Sequence, residues 1–269
     1  MNREEIKNFF EGQLKDWSLA ADNFEALRNV SKKEISIGDL KYLVQFNPAR
    51  AVSTLAKVDS ESICERKCFL CDENRPKEQK ALEILPDWKM LVNPFPILSC
   101  HFTISHRSHV PQELLPEIGF RLAELLPGMV VFYNDDGAGA SAPDHAHFQA
   151  VPFEELPLIS FLDRNWNDSD LSSKLPFRII KDAEKAKESE CPVNAYFWKS
   201  DSKELRFFAI PRKAHRPDMY FKDVPERRAV SPGAIDMAGV LVTPYKEDFE
   251  ALSLSDVKNI FSQVAFDNE

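Results

Sequence analysis

The spacing of apolar residues predicts two helical regions. Between residues 2 and 29, apolar side chains recur at helical intervals from Ile6 to Trp17 within an otherwise polar stretch. Residues 113–126 carry a second such series, and the Pro127-Gly128 that follows is typical of a helix end. We therefore expect a helical N-terminal segment and a separate helix near the middle of the chain.

Short apolar runs predict strands between and after these helices. The runs at 40–46, 88–93, 100–105 and 129–134 are bounded by Asn, Pro, Gly or Ser, as strands commonly are. Strands of this length mixed with helices predict an α+β fold in which the strands are mainly antiparallel.

A histidine-containing segment carries the clearest chemical signal. Residues 145–149 read His-Ala-His-Phe-Gln and follow a loop of small residues, 136–143. In a strand, side chains alternate between faces, so His145, His147 and Gln149 would share one face. Because glycines in the loop can bring backbone N–H groups close to an anion, and imidazole is a possible nucleophile towards phosphorus, the segment predicts phosphate chemistry. The alternative is that both histidines lie on a solvent-exposed face.

Composition and charge narrow the possible partners. The chain has 269 residues, a net charge of −9 and a pI near 5.3, which argues against a nucleic-acid partner. No apolar run approaches membrane-spanning length and the N-terminus has no secretory apolar region. We therefore expect a cytoplasmic protein without a membrane partner, large enough for a sizeable core.

Three of the five cysteines, Cys64, Cys68 and Cys71, lie within eight residues. In a cytosolic chain such clustering indicates a metal site more than disulfides. Free thiols are one alternative. A second is a radical S-adenosylmethionine iron–sulfur protein, since the spacing of the three cysteines fits one. Against this second alternative, the chain has only eight glycines and no glycine-rich strand follows the cysteines. It also leaves the histidine segment unexplained.

The second half of the chain repeats features of the first. Phe, Ile, His and Pro recur at the same offsets in residues 102–111 and 208–217. Residues 236–244 could then occupy the place of the histidine strand, without its imidazoles and its glutamine. We expect an N-terminal helical segment at 1–39, a catalytic unit with the metal site at 40–160, and a degenerate second unit at 161–269.

Several segments in order resemble the histidine-triad superfamily. His145-Ala146-His147-Phe148-Gln149 matches the His-x-His-x-Gln of its galactose-1-phosphate uridylyltransferase and nucleoside-diphosphate-hexose phosphorylase branch. Residues 68–75 resemble the uridylyltransferase zinc segment, and 101–110 resemble the strand-turn-histidine segment of the superfamily. Residues 45–50 and 231–250 are similar to segments of the hexose-diphosphate phosphorylases. The resemblance covers roughly residues 40 to 250.

The resemblance implies a fold of two fused histidine-triad-like units, each an antiparallel sheet flanked by helices, with the second unit degenerate. It also implies roles for residues at matching positions. His147 would be the nucleophile and Gln149 the amide that holds the phosphate. Residues expected to contact nucleotide or phosphate are Arg50, Asn134, Gly139 and Ser141.

The resemblance further implies a structural zinc ion bound by Cys68, Cys71, His109 and His145. Two thiolates at Cys-x2-Cys spacing and two imidazoles are suitable ligands for a closed tetrahedral site. His106 could replace His109, because the spacing to the cysteines does not decide between the two histidines.

The function expected from these features is that of a nucleotidyltransferase or phosphorylase. It would act on a nucleotide sugar or a dinucleoside polyphosphate through a covalent nucleotidyl-histidine, with phosphate or a sugar 1-phosphate as the acceptor. A homodimer is possible. The alternatives are a nucleotide hydrolase of the histidine-triad type and a non-catalytic nucleotide-binding relative.

Two further expectations concern polar residues around these motifs. His101 either borders the pocket or is a hydrogen-bonded core histidine. The basic residues of the second half, which include Arg212 and Arg216, are expected on a solvated face.

Overall fold

The computed structural model describes residues 2–55 and 60–268, apart from the side chains of Val52, Ser53, Ser60 and Cys64. Within these ranges the strands are β1 Ser31–Ile37, β2 Leu40–Phe46, β3 Ala81–Leu85, β4 Trp88–Val92, β5 Phe102–His106, β6 Met129–Asn134, β7 His147–Pro152, β8 Val193–Lys199, β9 Leu205–Pro211 and β10 Val240–Thr243. The helices are α1 Arg3–Asp16, α2 Ser18–Arg28, α3 Ala51–Thr54, α4 Ser60–Glu65, α5 Pro116–Leu125, α6 Pro157–Arg164, α7 Ala183–Lys187, α8 Ala234–Met237, α9 Lys246–Ala251 and α10 Leu254–Val264.

The strands form two sheets. Seven strands make one antiparallel sheet in the order β3-β4-β5-β7-β6-β8-β9, so strands from both halves of the chain belong to it. The smaller sheet has the order β1-β2-β10, in which β1 is antiparallel and β10 parallel to β2. The expected α+β fold, with antiparallel sheets flanked by helices, is confirmed.

The large sheet lies between two apolar layers because its central strands bury both faces. Along β6, Val130 and Phe132 belong to one buried cluster, whereas Val131 and Tyr133 belong to the other. The first cluster includes side chains of β2, α6 and α10, and the second includes side chains of α1, α2 and α5. Continuous apolar runs of this kind are typical of strands covered on both sides.

Most of the predicted elements form where the apolar pattern places them. The strands at 40–46 and 129–134 have the expected bounds, and the central helix begins at Pro116, where proline is suited to the first turn. The N-terminal segment is two helices, because the backbone of Trp17 is extended and ends α1. No described helix has both the length and the apolar character needed to cross a bilayer.

One expected strand position is wrong. Residues 240–243 form a strand, but it pairs with β2 in the small sheet and does not occupy the place of the histidine strand in a second unit. The reason is physical: a fully buried run such as Val-Leu-Val-Thr predicts a strand without naming its neighbour. The division of the chain at residues 39 and 160 stays a prediction. The large sheet contains strands from both sides of residue 160.

Candidate functional site

A cavity of about 460 Å³ opens at the end of strands β6 and β7. First-half residues on its wall include Arg50, Asn93, Asn134, Gly139, Ser141, His147 and Gln149. The second half contributes His215, Arg216 and the segment from Ser231 to Asp236. Every residue expected to act as nucleophile, amide or substrate contact therefore lies on the wall of one cavity.

His147 lies on the wall of this cavity, and one of its ring nitrogens has no protein partner among the described residues. Its side chain is buried, and Nδ1 lies 2.9 Å from the backbone oxygen of His145. Because a carbonyl oxygen can only accept, Nδ1 carries the hydrogen and Nε2 of the neutral ring keeps its lone pair. Burial lowers the pKa of His147 to about 4, which favours the neutral ring. No described residue is hydrogen-bonded to Nε2, so this nitrogen is available to a ligand.

Gln112 holds the backbone of His147 in place. Its Oε1 accepts from the His147 N–H at 2.7 Å, and its Nε2 donates to the His147 carbonyl at 3.0 Å. The same Nε2 donates to the carbonyl of Asn134 at 2.9 Å. Gln112 therefore spans the gap that opens where β6 and β7 stop pairing beyond Phe132 and Gln149. The sequence gives no signal for this role, since Gln112 precedes α5 in an irregular stretch.

Gln149 is oriented by His101. Nδ1 of His101 accepts from the Ile97 N–H at 3.4 Å, so Nε2 carries the ring hydrogen and donates to Gln149 Oε1 at 2.7 Å. With Oε1 occupied, the NH2 group of Gln149 is the end that can donate into the cavity. His101 is only 1% exposed and burial lowers its pKa to about 3. Of the two possibilities for His101, the structure has the hydrogen-bonded core histidine.

Arg50 supplies positive charge to the cavity wall. Its Nη1 donates to the carbonyl of Phe95 at 2.8 Å, while its buried Nε has no hydrogen-bond partner among the described residues. Burial lowers the pKa of Arg50 to about 10, so it stays charged at neutral pH. Asp236 also lines the cavity, and burial raises the pKa of its carboxyl to about 6. An anion bound near Arg50 would be attracted by a cation that is poorly screened by water.

Four side chains form a possible metal site next to the histidine strand. The ligand atoms of Cys68, Cys71, His109 and His145 all lie within 4.8 Å of one another. Cys68 Sγ is 3.3 Å from His145 Nδ1, and Cys71 Sγ is 3.3 Å from His109 Nδ1. Of the two candidate histidines, His109 therefore joins the cluster, whereas Nδ1 of His106 contacts the backbone of Ser108.

The outer contacts of the cluster fix which nitrogen faces a metal. His145 Nε2 donates to the carbonyl of His106 at 2.8 Å, which leaves Nδ1 as the ligand atom. His109 Nε2 lies 3.6 Å from Asp144, which is paired with Arg66 at 2.6 Å. Burial opposes thiolate formation at Cys68, but the contact with His145 and the hydrogen bonds from the backbone of Leu70 and Cys71 together outweigh it and lower the pKa of the thiol. This set of two sulfurs and two oriented nitrogens suits a tetrahedral metal ion.

A buried lysine ties the cysteine loop to the sheet. Lys89 of β4 is 2% exposed, and its Nζ pairs with Asp72 at 2.5 Å. Asp72 also pairs with Arg75 at 2.5 Å, and Asn74 donates to the carbonyl of Cys68 at 3.0 Å. These contacts hold the loop that carries Cys68 against β4.

Two expectations about side-chain placement need correction. His145 does not share the cavity wall with His147 and Gln149, because β7 begins only at His147 and the turn before it directs His145 to the cysteines. Arg212 is not on a solvated face: it is 1% exposed, since backbone carbonyls of distant segments converge on its guanidinium. Arg216 also lines the cavity. The iron–sulfur alternative requires Cys64, whose side chain lies outside the described part of the structure.

The fold is shared with solved structures of a nucleotide-processing enzyme. The crystal structure of yeast Ap4A phosphorylase Apa2 in complex with AMP matches with a TM-score of 0.60 and 17% identity, over 96% of this chain and 97% of that one. The structure of Apa2 in complex with Ap4A gives 0.61 and 18%, over 94% and 97%. The chain therefore has the α+β fold of this phosphorylase. At this level of identity the likeness concerns the fold.

The sequence places the chain in a family. The family model described as a domain of unknown function, DUF4922, matches residues 9–152, which is more than half of the chain. The protein belongs to the DUF4922 family. None of the curated proteins matches it in sequence. The matched residues contain both the possible metal site and the histidine strand.

Proposed function

We propose that this protein is a nucleotidyltransferase of the phosphorylase type, with His147 as the nucleophile. The observation that carries the proposal is the orientation of that ring. Nδ1 is hydrogen-bonded to the carbonyl of His145 at 2.9 Å, which leaves the lone pair on Nε2 of a ring that lines a cavity shared by both halves. A neutral, oriented imidazole beside hydrogen-bond donors is what attack on a phosphoryl centre needs.

The proposed reaction has two steps. In the first, the Nε2 lone pair of His147 forms a bond to the α-phosphorus, and the bond from phosphorus to the leaving-group oxygen breaks with its electron pair. The NH2 groups of Gln149 and Asn134 and the cation of Arg50 would hold the phosphate oxygens. In the second, an acceptor phosphate oxygen attacks the same phosphorus, and the P–N bond breaks to restore the lone pair of His147.

The proposed substrate is a dinucleoside polyphosphate, with inorganic phosphate as the acceptor. Support comes from the fold likeness to Apa2 over nearly the whole of both chains, and the Apa2 structures contain AMP or Ap4A. Aromatic side chains of Trp17, Phe69 and Phe95 also line the cavity, and they offer flat surfaces to a base. A nucleotide sugar with a sugar 1-phosphate acceptor is the second candidate, favoured by the Cys68–His145 cluster that resembles the uridylyltransferase zinc segment.

We further propose that the four-residue cluster binds a structural zinc ion. Ligand atoms of a tetrahedral zinc site with bonds of about 2.0–2.3 Å are roughly 3.3–3.8 Å apart. The contacts of 3.3 Å, 3.3 Å and 3.6 Å between the cysteine sulfurs and the imidazoles fit this spacing. Zinc would join the loop of Cys68 and Cys71 to the residue two positions before the nucleophile, and so restrict the start of β7.

The test is covalent labelling. Incubation with an α-32P-labelled dinucleoside polyphosphate, without an acceptor, should label the protein, and mild acid should remove the label because a phosphoramidate is acid-labile. His147→Asn should abolish labelling. The matched control is His215→Asn, a second histidine on the cavity wall, which should still label because its Nε2 is already engaged by Ser231 Oγ at 3.0 Å.

The acceptor is identified by what releases the label. Release by inorganic phosphate as a nucleoside diphosphate would support the phosphorylase, and release only by a sugar 1-phosphate would support the transferase. Spontaneous release as a nucleoside monophosphate would indicate a hydrolase. Labelling that persists in His147→Asn, or a wild-type protein that is labelled by neither substrate class, would refute the proposal.

A further inference from the structure

Arg212, at the end of β9, is a buried cation with no carboxylate of the described part of the chain in direct contact. Its side chain is 1% exposed, and no carboxylate of the described residues pairs with it. Every acceptor it reaches is a neutral oxygen: the carbonyls of Val264, Pro232, Ala214 and His215, and the side-chain oxygen of Asn194. Burial lowers its pKa to about 10, so the charge is present at neutral pH. The carboxylate of Asp236 acts on this charge only from a distance. A buried charge without a directly paired partner is costly, and proteins normally pair it.

Two amides connect this charge to the cavity. Arg212 Nη1 donates to Asn194 Oδ1 at 2.5 Å, and Asn194 Nδ2 donates to Asn134 Oδ1 at 2.9 Å. Asn134 Oδ1 also accepts from the Ala234 N–H at 2.7 Å. Because a guanidinium and a backbone N–H can only donate, the orientation of both amides is fixed.

The end of this chain of hydrogen bonds faces the ligand. Both side-chain N–H groups of Asn194 are used, since Nδ2 also donates to the Ala138 carbonyl at 2.7 Å. Asn134 lines the cavity, and no described residue accepts from its Nδ2. Hydrogen bonds in series polarise one another, so a cation at one end strengthens the donor at the other. The free N–H groups of Asn134 are therefore strong donors aimed at the cavity.

We propose that Arg212 is a positioning residue for the phosphate site, acting through Asn194 and Asn134, and that a bound phosphoryl group supplies negative charge that none of the direct contacts of Arg212 provides. This inference rests on the proposed function only in that the cavity holds a phosphate. It gives the second half of the chain, which has no histidine strand, a specific part in that site.

The most direct test is Asn194→Asp. The substitution keeps the shape of the side chain and gives Arg212 an adjacent carboxylate, so the buried cation gains a directly paired negative charge. It removes the N–H donated to Asn134 Oδ1, places two oxygens face to face, and neutralises the charge of Arg212. Equilibrium binding of AMP and of inorganic phosphate, measured by calorimetry, should weaken by about 10- to 100-fold. The control Asn165→Asp makes the same charge change at the end of α6, away from the cavity, and should bind as wild type.

A double-variant cycle separates positioning from general damage. Asn134→Ala should itself weaken AMP binding, and Asn194→Asp added to that background should change the affinity by less than about twofold. Losses that simply multiply would overturn the inference, and so would an unchanged affinity in Asn194→Asp.

If Asn194→Asp does not fold, a second pair of variants tests the role of the Arg212 charge. Arg212→Lys keeps the cation and should bind AMP within about threefold of wild type, whereas Arg212→Gln should bind about tenfold more weakly. Equal affinities in these two variants would overturn the inference. Because binding is measured at equilibrium, failure of the labelling experiment would remove the proposed transfer reaction without affecting this result. A wild-type protein that binds neither AMP nor phosphate would overturn both.

Discussion

Gly139→Ala tests the contact between the two halves of the chain at the cavity. Gly139 has a φ of +98°, and a Cβ built on it would lie 2.8 Å from Gly233 Cα and 3.2 Å from the Pro232 carbonyl oxygen. These are backbone atoms of the second half, which cannot move aside as a side chain does. Gly137 is the matched control, since its φ is +76° but its Cβ would meet only the ring of Pro192, at 3.2 Å.

The expected loss of stability has two contributions, the positive φ and the close contact with the backbone of the second half. A positive φ costs an alanine about 1–2 kcal/mol, and this term is common to both variants. Forcing two backbones apart costs roughly 1–3 kcal/mol more, and only Gly139→Ala carries this term. We expect a destabilisation of about 2–5 kcal/mol for Gly139→Ala and about 1–2 kcal/mol for Gly137→Ala.

Thermal unfolding followed by circular dichroism measures the difference. For a chain of this size each kcal/mol corresponds to a shift of roughly 2–4 °C, so Gly139→Ala should melt several degrees below Gly137→Ala. Gly12→Ala in α1 provides the opposite case: its Cβ meets nothing within 4 Å, and the variant should be slightly more stable than wild type. Equal melting temperatures for Gly137→Ala and Gly139→Ala would refute the close contact between the halves.

Two further predictions concern the metal site and acid stability. Cys68→Ser should lose about one zinc per chain by elemental analysis and should melt at a lower temperature, since structural zinc is coupled to folding. The control Cys191→Ser should keep its metal. Unchanged zinc content in Cys68→Ser would reject the site. His101 and His215 have pKa values lowered by burial to about 3, so their neutral forms contribute stability above pH 6.5 that is lost as the pH falls towards 3. Each contributes a slope of about 1.4 kcal/mol per pH unit between those limits, and the raised pKa of Asp236 offsets part of it between about pH 4 and 6. The free energy of unfolding, measured with urea at several pH values, should fall less steeply between pH 6 and 4 in His101→Phe than in wild type. An unchanged pH dependence would contradict the buried neutral ring.

The sequence predicts which residues share the cavity wall where their geometry is local. Alternation along a strand is enough to place His147 and Gln149 on the same face, and both lie on the cavity wall. The same alternation fails for His145, because β7 starts two residues later than the pattern indicates. Its position is instead fixed by contacts with Cys68, which is distant in sequence.

The supporting residues could not be predicted because their partners are distant in the chain. Gln112 is hydrogen-bonded to backbone groups of β6 and β7 where these two strands no longer pair with each other, and this gap exists only in the folded sheet. Lys89 and Arg212 are charged residues, which composition alone assigns to the surface. They are buried because acceptors from several segments converge on them, as Asp72 does on Lys89. Contacts of this kind between distant segments cannot be predicted from a single sequence.

The register between β6 and β8 explains how the two halves share one site. Asn134 is paired with Asn194 in the antiparallel ladder, and residues directly opposite each other on one face bring their side chains together. A shift of one residue would turn Asn194 to the other face of the sheet and end its contact with Asn134. The strand that carries Asn134, the amide proposed to contact phosphate, is therefore also the strand at which the second half joins the first. This register therefore lets a residue of the second half position an amide on the wall of the cavity.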